Sequence, residues 1–494
     1  MMLRSLLDGL APTVVRGEGA LDVTGVVIDS KKVVAASLFI AIDGVARDGH
    51  DFLPEAIARG AAVLVVTREG RVPAAFGGTV VVVEDARAAL NHLASRWFGD
   101  PGRSLFCVGV TGTDGKTTVA WMTEAVLAGV GLPTGVIGTV DHHFAGNRWP
   151  GDTTPAPLAL QERLSQFLAL GARAVALEAT SQGLSQSRVG SVPFDVAVFT
   201  NLTRDHLDYH RTLEAYFAAK ERLFTEALAA TPKRGSHAIV NVDTPHGARL
   251  RVPETATRWT YGQRGTGADF EYEVVTTGLS GGVFRLTAWG ETIQLRLPML
   301  GAFNGANALA AVAVGVAAGY PMRACVEALS DFAGVPGRVQ RFTHPSGKEV
   351  FIDYAHDPDA FEKLLTTVKA AMRDERPDGR LVTVFGCGGD RDRGKRPLML
   401  QAALRSSDSV VLTSDNPRSE DPRAIVDEIL TGASPADEPR VVVELDRATA
   451  IRLALRETSA RDVVMVLGKG HEPYQIIGDQ RLPFRDDAIV QAEL

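Results

Sequence analysis

Short runs of apolar and β-branched residues alternate with segments of helical periodicity along most of the chain. The runs that carry this pattern are residues 62–66, 79–83, 174–177, 196–199, 381–385, 410–412 and 463–467. Continuous apolar runs of this length are typical of strands that are buried on both faces. Because parallel strands are joined by crossover helices, the pattern predicts parallel sheets and an α/β fold class.

Residues 269–297 differ, because polar and apolar residues alternate there around Gly281-Gly282, which predicts an antiparallel excursion. Two breaks that contain Gly and Pro, at residues 98–102 and 334–337, each precede a new strand pattern. A chain of 494 residues is too long for one hydrophobic core. We therefore expect three α/β domains, a smaller N-terminal one and two larger ones, at residues 1–101, 102–334 and 335–494.

Composition and charge exclude several classes of protein. The net charge of −7 and the lack of a Lys/Arg-rich block argue against nucleic-acid binding. The three cysteines, Cys107, Cys325 and Cys387, form no CxxC motif, which favours buried thiols in a reducing cytosol. Neither a signal peptide nor a run of about 18 apolar residues is present. We expect a soluble, cytoplasmic monomer that acts on small molecules without membrane insertion.

A strand pattern at residues 105–110 leads into Thr111-Gly-Thr-Asp-Gly-Lys-Thr-Thr118, and a helical run follows. Glycines let backbone N–H groups approach phosphates, and a helix N-terminus adds partial positive charge. Lys116 would neutralise phosphate oxygens, and the Thr117 hydroxyl would reach Mg²⁺. The motif is imperfect because Val110 occupies the first glycine position, and a glycine-rich turn with a solvated lysine is the alternative. The predicted ATP-binding residues of this loop are Gly112, Thr113, Asp114, Gly115, Lys116, Thr117 and Thr118.

Acidic and histidine residues follow two other strand patterns. Glu178 ends the run at 174–177, and His206, Asp208 and His210 follow the run at 196–199. In open α/β sheets ligands bind at the carboxyl ends of strands, so these groups could meet the phosphate loop in one crevice. A carboxylate, an imidazole and phosphates can together hold Mg²⁺ or Mn²⁺. A solvated glutamate and a surface or core histidine remain the alternatives.

Six segments, in order along nearly the whole chain, resemble the Mur ligases, and most closely the branch that adds a diamino acid. They are residues 111–118, 201–210, 301–307, 336–338, 353–356 and 415–418. The resemblance implies an N-terminal domain for a uridine nucleotide, a central P-loop domain for ATP and a C-terminal Rossmann-like domain. It also implies a place in peptidoglycan synthesis, and so in cell shape and division.

Site residues follow from the resemblance position by position. Ser30 and His50 stand where the family holds UDP. The muramoyl-dipeptide contacts would be Thr153, Thr154, Thr180, Ser181, Gln186, Arg188 and the carbamoylated Lys220. Lys220 matches a lysine that the family carbamoylates, which would let it bind the second of two Mg²⁺ ions beside Thr117, Glu178 and His206. Further contacts to ATP would come from Asn304, Arg338, Asp353 and His356.

The resemblance also implies the reaction. The γ-carboxylate of D-Glu in UDP-N-acetylmuramoyl-L-Ala-D-Glu attacks the ATP γ-phosphate, and an amine then displaces phosphate from the acyl phosphate. Lys116, Lys220 and His206 would be the catalytic residues, with no covalent protein nucleophile. Three positions depart from the family's usual residues: Asp114 replaces Asn, Gln182 replaces His and Asp357 replaces Thr.

The diamino acid is predicted from the C-terminal segments. Meso-2,6-diaminopimelate has a distal carboxylate, which suits a forked cation such as Arg391 or Arg418, and a distal ammonium, which suits Glu472. Lysine-adding relatives usually lack the arginine of Asp-Asn-Pro-Arg. The predicted contacts are Arg391, Asp415, Asn416, Pro417, Arg418, Gly468 and Glu472.

Three alternatives stay open. The added amino acid could be L-lysine or L-ornithine, since an arginine can also bind an α-carboxylate. A folylpolyglutamate synthetase shares the P-loop ligase core, although it normally lacks a separate N-terminal domain. A regulatory P-loop ATPase would hydrolyse ATP without an amine acceptor.

Overall fold

The structure is a computed structural model that describes residues 1–17, 19–44 and 47–493. The chain forms two compact units. The first contains Met1–Tyr261 and Ala310–Cys325, and the second contains Gly262–Leu309 and Val326–Leu494. Each unit contains a largely parallel sheet with helices, which confirms the predicted α/β class.

The first sheet of the first unit has the strand order β1-β5-β4-β3-β2 and is parallel except for β1. Its strands are β1 (Val14–Arg16), β2 (Val26–Val27), β3 (Ser37–Ile40), β4 (Ala61–Val66) and β5 (Thr79–Val82). Its helices are α1 (Leu3–Leu7), α2 (Leu53–Ala58) and α3 (Ala86–Trp97). Separate apolar clusters contain Leu38 and Val63 in one case and Phe39 and Leu64 in the other, as alternation along buried strands requires.

The second sheet of this unit has the order β12-β11-β6-β10-β7-β8-β9, and β13 pairs with β12. Its strands are β6 (Phe106–Thr111), β7 (Thr134–Ile137), β8 (His142–Phe144), β9 (Asn147–Trp149), β10 (Ala174–Glu178), β11 (Val196–Phe199), β12 (His237–Asn241) and β13 (Thr257–Gln263). The helices are α4 (Lys116–Gly129), α5 (Pro157–Ala169), α6 (Ser181–Ser185), α7 (Leu207–His210), α8 (Leu213–Arg222) and α9 (Pro245–Arg249). Since β6 lies between β10 and β11, the loops that follow these three parallel strands come together.

The second unit begins with an antiparallel meander of β14 (Phe270–Gly278), β15 (Gly281–Ala288) and β16 (Glu291–Leu297), which confirms the predicted excursion. The first turn precedes Gly281-Gly282 rather than containing it. Two further helices, α10 (Asn304–Ala317) and α11 (Met322–Leu329), follow the meander.

The main sheet of the second unit has the order β17-β18-β22-β19-β20-β21 and is parallel except for β17. Its strands are β17 (Gln340–Thr343), β18 (Glu349–Asp353), β19 (Leu381–Phe385), β20 (Ser409–Leu412), β21 (Val441–Val443) and β22 (Val463–Leu467). Its helices are α12 (Pro358–Glu375), α13 (Lys395–Ser406), α14 (Pro422–Leu430), α15 (Arg447–Arg456) and α16 (Asp486–Ala492). A hairpin of β23 (Tyr474–Ile477) and β24 (Gln480–Pro483) follows β22.

In the described parts of the chain, no helix is both long enough and apolar enough to cross a membrane.

Candidate active site

The glycine-rich loop connects β6 to α4, as the sequence predicts. Gly112 and Gly115 have φ values of 148° and 84°, which side-chain-bearing residues rarely adopt. A Cβ atom on Gly112 would lie 1.8 Å from the Thr200 hydroxyl oxygen, so any side chain there would displace the loop. The following helix begins at Lys116, which directs its first N–H groups towards the loop.

The residues after β11 hold the glycine-rich loop in place. The Asn201 side-chain oxygen accepts a hydrogen bond from the Asp114 amide at 2.8 Å, and the Thr200 hydroxyl donates to the Asp114 carbonyl at 2.6 Å. The exposed Asp114 carboxylate accepts a hydrogen bond from the Thr203 hydroxyl at 3.3 Å. The unusual aspartate is therefore tied to the neighbouring loop.

Two lysines converge on one carbonyl oxygen of the loop. Lys116 Nζ donates to Gly112 O at 3.0 Å, and Lys220 Nζ donates to the same oxygen at 2.6 Å. Lys220 is 1% exposed and lies 4.3 Å from the centre of the Tyr216 ring. Burial, and then the charge of Lys116, holds the pKa of the Lys220 ammonium well below its usual range.

Glu178 is the last residue of β10 and is fully buried beside the start of α4. Its carboxylate accepts hydrogen bonds from the hydroxyls of Thr117 and Thr139, each at 2.9 Å, and from the Thr139 amide at 2.8 Å. A buried carboxylate next to a threonine hydroxyl supplies the hard oxygen ligands that Mg²⁺ prefers. The chemistry of these donors therefore fits the predicted metal.

The two histidines after β11, His206 and His210, differ in burial and in hydrogen-bond partners. His206 is exposed, and its Nε2 lies 3.4 Å from Asp205 Oδ2. Among the described residues it makes no hydrogen bond to Thr117, Glu178 or Lys220, although its ring contacts Tyr216. His210 is buried, with its Nε2 2.9 Å from the Ser181 hydroxyl.

Most of the residues predicted to contact the muramoyl dipeptide form one hydrogen-bonded chain that starts at Glu178, whereas Ser181 pairs with His210 instead. The Thr154 hydroxyl donates to the Glu178 carbonyl at 2.7 Å, and Thr180 lies next to it at 3.0 Å. Arg188 Nη1 donates to the Thr154 carbonyl at 2.8 Å, and its Nε donates to the Gln186 side-chain oxygen at 3.0 Å. The Thr153 hydroxyl donates to that of Thr139 at 3.3 Å.

Gln186 and Arg188 also line a cavity of about 350 Å³ in the first unit, together with Ile28, Ile42, Gly44, Arg47, Gly49, Phe52, Arg87, Leu90, Asn91, Ala156 and Pro157. The predicted UDP contacts lie beside the cavity rather than on its surface. Ser30 donates to Glu55 at 2.7 Å, and the buried His50 bonds to Asp48 at 2.8 Å.

Sequence reasoning missed two cations of this cavity, Arg47 and Arg87. One signal was available for Arg87, which lies in the first turn of α3. A cation in that position opposes the helix dipole, so its presence there suggests another role.

The predicted nucleotide contacts of the second unit hold turns together. The Asn304 side chain donates to Leu300 O at 2.9 Å. The Asp353 carboxylate accepts from the amides of Val339 and Ala355, both at 2.7 Å, and burial raises the pKa of this carboxyl. The Arg338 guanidinium lies 4.9 Å from the centre of the Tyr354 ring.

The residues next to Asp353 define the start of α12. The exposed His356 bonds through Nδ1 to the Tyr354 carbonyl at 2.9 Å. Asp357 caps α12 by accepting from the Ala360 amide at 2.9 Å. Since threonine also serves as an N-cap, this departure from the family keeps its local role.

Most of the predicted diamino-acid contacts lie around the loops after β19, β20 and β22. Arg418 adopts φ 52°, and its Nη1 donates to Gly389 O at 2.8 Å. The Pro417 carbonyl approaches Gly389 so closely that a Cβ there would lie 1.9 Å from it. Asn416 Nδ2 donates to Glu472 Oε2 at 2.8 Å. Arg391 is exposed and bonds weakly to Asp390 O at 3.4 Å.

The fold and the glycine-rich loop place the chain among P-loop α/β enzymes. Three domain families match it: "Mur ligase family, catalytic domain" at residues 22–98, "Mur ligase middle domain" at 110–315 and "Mur ligase, glutamate ligase domain" at 337–470. The chain belongs to the Mur ligase family.

Curated relatives and solved structures agree with this assignment. The chain is 42% identical to the UDP-N-acetylmuramoyl-L-alanyl-D-glutamate–2,6-diaminopimelate ligase of Geobacter sulfurreducens, over 99% of this chain and 98% of the relative. It is 40% identical to the ligase of the same name from Geobacillus thermodenitrificans, over 100% and 99%. A solved structure of a ligase with that name matches with a TM-score of 0.70 and 34% identity, over 95% of this chain and 94% of the other. A folylpolyglutamate synthase of Mycobacterium tuberculosis, at 20% identity and a TM-score of 0.62, shares the fold over 77% of this chain and 92% of its own.

Proposed function

We propose that this enzyme uses ATP to join meso-2,6-diaminopimelate to the D-Glu of UDP-N-acetylmuramoyl-L-Ala-D-Glu, through an acyl phosphate, in peptidoglycan synthesis. The observation that carries the chemistry is the convergence of Lys116 and Lys220 on Gly112, next to the Thr117–Glu178 pair. The names of the relatives, which align over their full length, support the substrates. The three domains, 1–101, 102–334 and 335–494, and action as a cytoplasmic monomer are part of the same proposal.

Phosphoryl transfer to a carboxylate brings two anions together, so the site must concentrate positive charge. Lys116 lies where its ammonium can leave the loop carbonyls for the β- and γ-phosphate oxygens. Thr117 and Glu178 would hold Mg²⁺, with His206 and a modified Lys220 as further ligands. When bound, Mg²⁺ neutralises charge on the phosphates and orients them.

Lys220 has the environment that a carbamoylated lysine requires. Burial and the charge of Lys116 lower the pKa of its ammonium, which favours the uncharged amine, the only form that can attack the carbon of CO₂. The nitrogen then forms a bond to that carbon and releases a proton, which leaves an anionic carbamate. This product would place an anion that attracts cations next to Lys116.

The diamino acid would be held by the second unit. Arg418 retains donors at Nε and Nη2, which among the described residues have no hydrogen-bond partner, and two such donors match a distal carboxylate. Glu472 would accept from the distal ammonium. Asp415, Asn416, Pro417, Gly468 and the exposed Arg391 complete the proposed contacts.

A substrate panel tests this proposal. Purified enzyme is incubated with ATP, Mg²⁺ and UDP-N-acetylmuramoyl-L-Ala-D-Glu together with meso-diaminopimelate, L-lysine or L-ornithine, and product mass is recorded with phosphate release. We expect the diaminopimelate adduct to dominate. Preferred use of lysine or ornithine would overturn the amino-acid assignment. Phosphate release without an acceptor would indicate a regulatory ATPase, and turnover of a folate would indicate a folylpolyglutamate synthetase.

A further inference from the structure

Lys469 is a fully buried cation in the second unit that the mechanism above does not use. Its Nζ donates to Asn416 Oδ1 at 3.1 Å and to Glu472 Oε2 at 3.0 Å. An ammonium without water is costly unless it is paired and hydrogen-bonded, and this pair meets that condition. Because its side chain is 0% exposed, Lys469 has no surface with which to touch a substrate.

The turn after β22 dictates this arrangement. Gly468 and Gly470 both have positive φ values, of 107° and 52°. A Cβ on Gly468 would lie 2.9 Å from Asp415 Oδ2, and one on Gly470 would lie 2.8 Å from Gly337 O. The Glu472 amide donates to the Lys469 carbonyl at 2.9 Å, so the turn brings the two side chains to the same side. The glycines therefore fix the position of Lys469 against Glu472.

The two carboxylate oxygens of Glu472 have different contacts. Oε2 accepts from both Lys469 Nζ and Asn416 Nδ2, at 3.0 and 2.8 Å. Oε1 has no hydrogen-bond partner among the residues that the structure describes, and the side chain is 18% exposed. Asn416 is itself oriented, since its Oδ1 also accepts from the Ile476 amide at 2.9 Å. The carboxylate is thus held by one oxygen, and the other is left to accept from a ligand.

We propose that Lys469 is a positioning residue that orients Glu472 to accept a hydrogen bond from the side-chain ammonium of the incoming diamino acid. This inference rests on the proposed function, in which Glu472 binds that ammonium. Lys469 acts through Glu472 and Asn416, and it also keeps the net charge of the buried cluster low before the substrate arrives. A lysine that served stability alone would affect all substrates equally.

Lys469→Met tests the inference because it removes the ammonium and keeps a chain of similar length. We expect KM for diaminopimelate to rise roughly 10- to 100-fold, the range of a lost hydrogen bond to a charged group. KM for ATP and for the UDP-linked dipeptide should stay within about twofold, as uncoupled binding sites require. Lys348→Met is the matched control, because Lys348 is also buried in this unit and, within the described part of the chain, donates only to the Leu455 carbonyl. It should lower the melting temperature without raising KM for the amino acid.

A double-mutant cycle separates positioning from stability. In a Glu472→Gln background, Lys469→Met should add little, because its target is already lost. Equal losses in both backgrounds, or an unchanged KM in the single variant, would overturn the inference. If Lys469→Met does not fold, Lys469→Gln keeps an uncharged N–H donor and should give an intermediate KM. An unchanged KM would again overturn the inference.

The substrate used by the wild-type enzyme distinguishes a failure of this inference from a failure of the proposed function. If it uses L-lysine rather than diaminopimelate, the proposed substrate is wrong, yet lysine has the same side-chain ammonium. In that case the effect of Lys469→Met on KM is measured with L-lysine, and the same rise is expected. If the wild type joins no diamino acid, both the proposed function and the inference fail.

Discussion

Gly112 O accepts hydrogen bonds from Lys116 and Lys220. This shared oxygen holds the two ammonium groups close together, although their like charges repel each other. Burial removes the water that would screen them, so one of the two is driven towards its neutral form. Lys220 is the better candidate, because it is 1% exposed and its pKa is strongly lowered. The same desolvation that destabilises its ammonium makes its amine reactive.

Carbamoylation of Lys220 should be observable directly. An ordinary lysine is only roughly 0.1% uncharged near pH 7.5, and the lowered pKa of Lys220 increases the share of free amine. In ¹³C-bicarbonate, the wild type should give one carbamate resonance that Lys220→Gln lacks. Lys233→Gln is the control, since Lys233 is paired with Asp195 at 2.7 Å. A carbamate signal that survives in Lys220→Gln would contradict the assignment.

Arg418 should determine which diamino acid is used. Arg418→Ala removes the two donors assigned to the distal carboxylate, so KM for diaminopimelate should rise roughly 10- to 100-fold. KM for L-lysine, which has no distal carboxylate, should change little. Arg423→Ala is the control, because Arg423 forms an exposed ion pair with Asp427 within one helix. This variant should change neither KM for diaminopimelate nor KM for L-lysine. Equal effects on both amino acids would show that Arg418 binds a group they share.

Secondary structure was predictable wherever the apolar runs were continuous. The strands Val196–Phe199, Leu381–Phe385 and Val463–Leu467 have the bounds that the sequence predicts. The strand–loop–helix element of the phosphate loop was equally clear, because glycine, lysine and helix periodicity all agree. Strands such as Val26–Val27 and His142–Phe144 were not predicted, since two or three residues are too few to form a recognisable pattern.

Side-chain placement was less predictable, because it depends on contacts between distant segments. From composition Lys220 is a surface lysine, yet Tyr216 and Phe224, four residues away on either side along the chain, are also buried. That spacing was a usable signal. No comparable signal pointed to Lys469, whose partner Asn416 is 53 residues away. The packing of Gly389 against Pro417 likewise depends on the sheet that positions both loops.

The hairpin of β8 and β9 should respond to pH through His143. Its nitrogens contact Asp141 at 2.6 Å and Glu124 at 2.9 Å. Burial lowers its pKa, but these carboxylates outweigh burial and raise it to about 9. Since the unfolded value is about 6.5, the stabilisation is complete below that pH and is lost as pH rises through 9. The difference in melting temperature between wild type and His143→Gln should shrink over this window.

The neighbouring His142 provides a control of opposite sign. Burial lowers its pKa, so its contribution is present at neutral pH and is lost as pH falls. The difference between wild type and His142→Gln should therefore shrink towards acid. A His143→Gln difference that is constant from pH 6 to 9 would contradict the assigned contacts.

At the scale of the whole molecule, we expect the bound Mg²⁺ to contribute to catalysis and not to the stability of the fold. Glu178 is already satisfied by three hydrogen bonds from Thr117 and Thr139, so the fold does not need a cation there. Chelation with EDTA should abolish product formation and leave the melting temperature of the free enzyme unchanged, and excess Mg²⁺ should restore activity. A large fall in melting temperature on chelation would identify a structural metal instead.

The most direct test of the account follows the oxygen atoms of the carboxylate. If the γ-carboxylate of D-Glu attacks ATP, one of its oxygens becomes the bridging atom of the acyl phosphate and leaves with phosphate when the amine attacks. With an ¹⁸O-labelled γ-carboxylate, mass spectrometry of the released phosphate should find one ¹⁸O atom per turnover. Phosphate that carries no label, formed while the amide product accumulates, would contradict the central claim.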